Sequence, residues 1–231
     1  AVRCAYLTNG ASLVGFTLTN GYTAALHNKP NPALRGGGTF SGDGSFFTNS
    51  VISNCWFRDN HSYYQGGGAV HGSLFDCWIV NNRSGETYSG SVGGGGTAFA
   101  SLYRCTVVSN RNDAAGGGGG VNMRGPAGAN TNYAVACYIA CNTVGSPTTP
   151  SNSQGGGFGA GGILISSTVT LNVASDSSGQ EYGGGVGGTT LDLRPVYMSN
   201  CVVSCNRAGN AGGMVGVTAY DCLISDNSAR D

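Results

Sequence analysis

Cys55-Trp56-Phe57-Arg58-Asp59-Asn60 returns 22 residues later as Cys77-Trp78-Ile79-Val80-Asn81-Asn82, and the reading of that pair decides the fold. The shared pattern is Cys, any residue, an apolar residue, two free positions and Asn. It recurs at Cys105 to Asn110, Cys137 to Asn142, Cys201 to Asn206 and Cys222 to Asn227, and at Ser167 to Asn172 with Ser in place of Cys. Cys4 to Asn9 fits the same template, and Phe16 to Asn20 is a looser copy one residue shorter. From Cys55 onward the leading positions fall 22, 28, 32, 30, 34 and 21 residues apart, so the smallest unit is 21 residues and the excess is insertion. Self-similarity at such periods, with variable insertions, is the mark of a solenoid.

Between successive copies lies a glycine clump: Gly36 to Gly38, Gly66 to Gly68, Gly93 to Gly96, Gly116 to Gly120, Gly155 to Gly157, Gly183 to Gly185, and Gly212-Gly213. Within a copy, residues two apart share a strand face. The Cys therefore faces inward with the apolar residue that follows it: Phe57, Ile79, Val107, Ile139, Val169, Val203 and Ile224. A second apolar position stands three residues before the Cys (Ile52, Leu74, Leu102, Ala134, Leu164, Met198, Ala219), and the odd spacing predicts a bend between the two.

These features predict an all-β chain, a right-handed parallel β-helix of about eight coils forming one domain over residues 1–231. Like residues then stack at ~4.8 Å into columns. Asn60, Asn82, Asn110, Asn142, Asn172, Asn206 and Asn227 form an Asn ladder at the strand ends, where Asn tolerates left-handed backbone. Glycine supplies positive-φ corners and close backbone approach. The rival architecture is a β-sandwich, whose strands recur every 8–12 residues.

Composition narrows the function. Glycine is 42 of 231 residues, far above the usual ~7%, and charged residues are 10% against a typical ~25%. The glycines do not follow the three-residue period of collagen, and the Tyr, Phe and Val in every strand argue against disorder. Zero formal net charge and a single lysine, Lys29, leave no basic face for nucleic acid or an anionic membrane. No apolar run reaches the ~18 residues of a membrane span. The sequence opens at Ala1 without Met or a signal peptide, consistent with processing or with a piece of something longer.

The motifs Gly67-Gly68-Ala69-Val70, Gly119-Gly120-Val121, Gly161-Gly162-Ile163 and Gly184-Gly185-Val186, together with Phe57-Arg58-Asp59-Asn60, resemble the Gly-Gly-Ala/Val/Ile and Phe-x-x-Asn repeats of polymorphic outer-membrane-protein passengers and kindred bacterial β-helix surface proteins. The resemblance covers nearly the whole chain. It implies an exported protein of the cell surface, acting as an adhesin or structural element, and it carries over no catalytic residue. No membrane barrel follows the repeats in this sequence, so anchoring through one is not expected.

Nine cysteines cannot all pair within one chain. Cys55, Cys77, Cys105, Cys137, Cys201 and Cys222 are read as a reduced, stacked ladder of small apolar side chains. Disulfides between adjacent coils and zinc are the alternatives, although Cys137-x-x-x-Cys141 and Cys201-x-x-x-Cys205 lack the usual zinc spacing. The eleven acids are scattered singly, so no paired carboxylates for glycoside cleavage are evident; Asp59 and Asp76 alone could approach on adjacent coils. His27, His61 and His71 read as surface or turn residues. Asn60-His61-Ser62 and Asn82-Arg83-Ser84 are sequons on ladder positions, which burial would deny to sugar. The insertion 143–153 offers Thr148, Thr149 and Ser151 for O-linked sugar, or is a plain loop.

Trp56 and Trp78 take the same outward position in consecutive copies, followed by Thr106 and Tyr138. This strip either grips a glycan or partner chain or forms a satellite core beneath the insertions. The sequence begins and stops inside repeat strands without a visible cap, as in a homo-polymer stacked head to tail through its end coils or a fragment of a longer β-helix. The expectation is a non-catalytic, secreted or cell-surface structural protein forming filaments, without cofactor or metal. An adhesin or glycan-binding module is the alternative, and a polysaccharide lyase or hydrolase the third reading.

Overall fold

The computed structural model describes residues 2–23, 35–42, 49–85, 93–114, 117–123, 132–145, 154–159, 161–175, 182–188 and 196–229. Four parallel sheets of eight strands each run the length of the molecule, and every coil contributes one short strand to each sheet in turn. The third coil is typical: Ala69–Val70 lies in the first sheet, Ser73–Phe75 in the second, Trp78–Val80 in the third and Arg83–Ser84 in the fourth. Trp78 stands in register between Trp56 and Thr106, so equivalent positions do form columns along the stack. The architecture is a parallel β-helix of eight coils.

Strands of two to four residues alternate with bends because the chain turns at fixed left-handed positions. One row of positive φ precedes the Cys position: Asn54, Asp76, Arg104, Ala136, Ser166, Asn200 and Asp221. It produces the bend required by the three-residue spacing. A second row precedes the ladder Asn: Asn20, Asp59, Asn81, Ser109, Cys141, Leu171, Cys205 and Asp226. The left-handed residue is thus the one before each ladder Asn, which corrects the expectation that the ladder Asn itself adopts that conformation. Few residues in either row are glycine, so side chains accept strain of ~1–2 kcal/mol each that the stacking offsets.

The interior is one continuous cluster running from Leu18 and Ile52 to Val196 and Val203. Its columns Ile52, Leu74, Leu102, Ala134, Leu164, Met198 and Phe57, Ile79, Val107, Ile139, Val169, Val203 are almost fully excluded from solvent. A satellite cluster of Phe40, Val70, Ala98 and Phe99 covers part of the first sheet's outer side. Coil lengths vary at two places, between the fourth sheet and the next first-sheet strand and between the first and second sheets, so the insertions flank the first sheet.

One assignment differs from the sequence reading. Ala5–Leu7 pairs with Thr39–Ser41 in the first sheet, so Cys4 to Asn9 is not a copy of the third-sheet motif. The first coil's copy is the looser Phe16 to Asn20, whose Thr17–Thr19 pairs with Trp56–Arg58. A two-residue alternation looks the same in every sheet, and only the partner strand distinguishes them.

Candidate functional site: two interior ladders and an exposed aromatic face

The Asn column forms a continuous hydrogen-bonded ladder. The Nδ2 of Asn60 donates to Asn82 Oδ1, and the same step joins Asn82 to Asn110, Asn110 to Asn142, Asn142 to Asn172, Asn172 to Asn206 and Asn206 to Asn227, at 2.9–3.0 Å throughout. Each Oδ1 also accepts the backbone N–H of the preceding ladder Asn, as Asn142 Oδ1 does from Asn110 at 2.9 Å. Each Nδ2 also reaches back to a carbonyl one coil earlier, as Asn142 does to Val107 at 2.9 Å. One side chain therefore ties together three coils, and burial makes each bond costly to lose. In the first coil the place is taken by Gly21, whose N–H donates to Asn60 Oδ1 at 2.9 Å. Asn60 and Asn82 are buried, so neither sequon presents a free amide.

The glycine clumps exist for this ladder. A Cβ on Gly120 would lie 2.8 Å from the Asn142 amide, and one on Gly157 2.7 Å from Asn172 Nδ2. One residue earlier, a Cβ on Gly119 would lie 2.3 Å from the Gly156 carbonyl oxygen and 2.4 Å from the Thr143 carbonyl carbon. Gly-Gly and Asn recur together because the last glycine leaves space for the ladder amide and the one before it lets two backbones touch.

The second ladder is of thiols. Cys55, Cys77, Cys105, Cys137 and Cys201 are buried, Cys222 is partly so, and all are free. Each of the six sulfurs lies 3.1–3.4 Å from the carbonyl two residues before it. Cys55 to Cys201 also lie 3.4–3.7 Å from a carbonyl of the preceding coil. Ser167 makes the same pair of contacts, to Ile165 at 2.8 Å and Ala134 at 3.4 Å. Burial raises the thiol pKa of Cys55 and Cys201 and pushes Cys137 up to about 11. Cys77 is raised first by the neighbouring Cys105 thiol and then by burial. These thiols are protonated at neutral pH, and the exposed Cys141 and Cys205 belong to the left-handed corner row instead.

Outside, Trp56 and Trp78 stack with ring centroids 4.9 Å apart and planes within 4°. Both are 44% exposed, on the third sheet. Each ring turns one face to the other. Tyr138, 45% exposed, lies in the same column beyond Thr106. A second stack, Phe75 on Tyr103 at 4.7 Å, was not recognised from the sequence, although both occupy the outward position two before the Cys. Between these stacks Arg104 binds Asp76 through two hydrogen bonds, 2.7 and 2.8 Å, which hold the Asp76 carboxyl below its ordinary pKa.

The remaining candidates are dispersed. Asp59 pairs with Arg58 and Asn81 at one corner, whereas Asp76 pairs with Arg104 at another, so the two do not form the paired carboxylates that adjacent coils allowed. Among the described residues no cluster of three or more His, Cys, Asp or Glu could hold a metal. His61 packs edge-on against Tyr22. His71 is buried rather than at the surface, between Phe40 and Phe99, and burial followed by the Arg35 charge lowers its pKa to about 4. Thr148, Thr149, Ser151 and His27 lie outside the described residues. No protein-family model, curated protein or solved structure matches the chain.

Proposed function

We propose that the protein is a non-catalytic structural element of the cell exterior, a stiff rod that is secreted or held at the surface and lengthens by stacking copies head to tail into filaments. The unbroken Asn60-to-Asn227 ladder carries this reading. Each repeat commits its unusual residues, the Asn and the paired glycines, to joining one coil to the next. Parallel strand pairing is made alike at every step, and a second copy can continue it as another coil does, with Gly21 of its first coil meeting Asn227 in place of a ladder Asn. The resemblance to polymorphic outer-membrane-protein repeats supports the exterior location. The separately engaged Asp59 and Asp76 support a role without chemistry.

Sedimentation velocity over a concentration series, with polysaccharide digests in parallel, tests the proposal. It expects species that grow with concentration and no new reducing or unsaturated sugar ends. A monomer at every concentration would contradict filament assembly, and sugar release would contradict a non-catalytic role. A second reading, a glycan- or partner-binding face, is favoured by the exposed Trp56–Trp78 stack. It expects glycan binding by the wild-type chain that is lost in Trp56→Ala/Trp78→Ala.

A further inference from the structure

The thiol ladder has a geometry that its packing role does not require. Cys55, Cys77, Cys105 and Cys137 occupy the same register position in four consecutive coils, Ser167 interrupts, and Cys201 and Cys222 resume. Because the sulfurs share the same local carbonyl contact, they share one orientation. Sulfur therefore repeats at the coil step of about 4.8 Å. A disulfide needs Cβ atoms roughly 3.5–4.5 Å apart, closer than in-register neighbours at that step. Two metal–thiolate bonds of roughly 2.3 Å laid end to end span about 4.6 Å.

We propose that the thiol ladder is a binding site for soft monovalent metal cations, cuprous or silver, each held in linear two-coordinate fashion between sulfurs of adjacent coils. Zinc requires about four ligands in a tetrahedron, and the described residues offer no cluster of three. Thiolate sulfur selects soft monovalent ions. Charge also balances. Each cation that enters displaces one S–H proton to solvent, so a sulfur–metal–sulfur run stays uncharged and its burial avoids the cost of an isolated ion. Backbone amides already point at the ladder atoms: Phe16 N–H donates to Cys55 Sγ at 3.4 Å, and Cys137 N–H to Ser167 Oγ at 3.0 Å. Such donors suit a sulfur that has lost its proton.

The ladder predicts a stoichiometry. A sulfur cannot bond two cations on opposite sides of one line, so filled gaps cannot be adjacent; Cys55 with Cys77, Cys105 with Cys137 and Cys201 with Cys222 hold three ions per chain. Cys222→Ser would leave Cys201 without a partner and lose one ion, and Ser167→Cys added to it would give Cys201 a new partner and restore the third. The exposed thiols are eliminated beforehand as Cys4→Ser, Cys141→Ser and Cys205→Ser; Ser109 already occupies the corner row of the last two. Native mass spectrometry then counts silver ions on this background, both after incubation of the folded protein and after renaturation with Ag⁺, with circular dichroism recording the β signal. The proposal expects three ions in the background chain, two with Cys222→Ser and three again with Cys222→Ser/Ser167→Cys, with the β signal intact. Failure of Ser167→Cys to restore the third ion in the Cys222→Ser chain, no silver under either condition, or silver uptake that abolishes the β signal would each overturn it.

Discussion

At the scale of the residue, Asn142 shows how much depends on one amide. Its side chain accepts from Asn110 and donates to both Val107 and Asn172, all buried. Truncation to alanine strands groups on three coils, and an unsatisfied buried partner costs about 1–3 kcal/mol. Asn142→Ala should therefore lower unfolding stability by about 3–5 kcal/mol in urea titration, whereas Asn227→Ala, in a part-buried step, should lose about 1 kcal/mol. His71 provides a pH test. Its folded pKa, about 4, lies below the ordinary 6.5, so the unfolded chain binds more protons between those values. The stabilisation is complete above pH ~6.5, falls as pH drops towards ~4 and then levels, a loss of up to about 3 kcal/mol. Phe99 holds the same left-handed conformation one coil on, at φ 58 against 60 for His71. His71→Phe should therefore fold and flatten that slope in urea titrations at pH 7, 5.5 and 4. An unchanged slope would show that other groups produce it.

At the scale of the element, the short strands are fixed less by their own sequence than by what borders them. Gly119→Ala would place a methyl group against the Gly156 and Thr143 backbones, which cannot move without separating two coils. A loss of at least about 3 kcal/mol, or failure to fold, is expected from overpacking so constrained. The melting temperature compared with that of Gly10→Ala, where a Cβ meets nothing within 4 Å and only the left-handed φ of 79° is strained, separates overpacking from the smaller backbone cost. The third-sheet strands were legible because Cys, apolar residue and Asn combine three independent signals in six positions. Most first- and fourth-sheet strands have two residues and carry too little pattern, while Cys4 to Asn9 was placed in the wrong sheet because it matches the third-sheet motif and only its pairing with Thr39–Ser41 tells them apart. The satellite cluster around Phe40 and His71 was illegible for another reason. Phe40, Val70 and Ala98 are in register, with Phe99 one coil on from His71, but unlike residues fill these positions, so no repeated letter marks them.

At the scale of the whole molecule, eight coils at ~4.8 Å make a rod about 40 Å long, with apolar and thiol columns inside and little charge outside. Extension by a further copy would reuse the parallel strand pairing, with Gly21 of the next first coil standing against Asn227. The aromatic face around Trp56, Trp78, Phe75 and Tyr103 would then recur along the side of the assembly. Electron microscopy of the native protein at physiological salt is the most direct measurement. Filaments with an axial subunit repeat near ~40 Å are the expected result. Dispersed single rods at every concentration would contradict assembly as the function and leave the exposed tryptophan stack as the feature to explain.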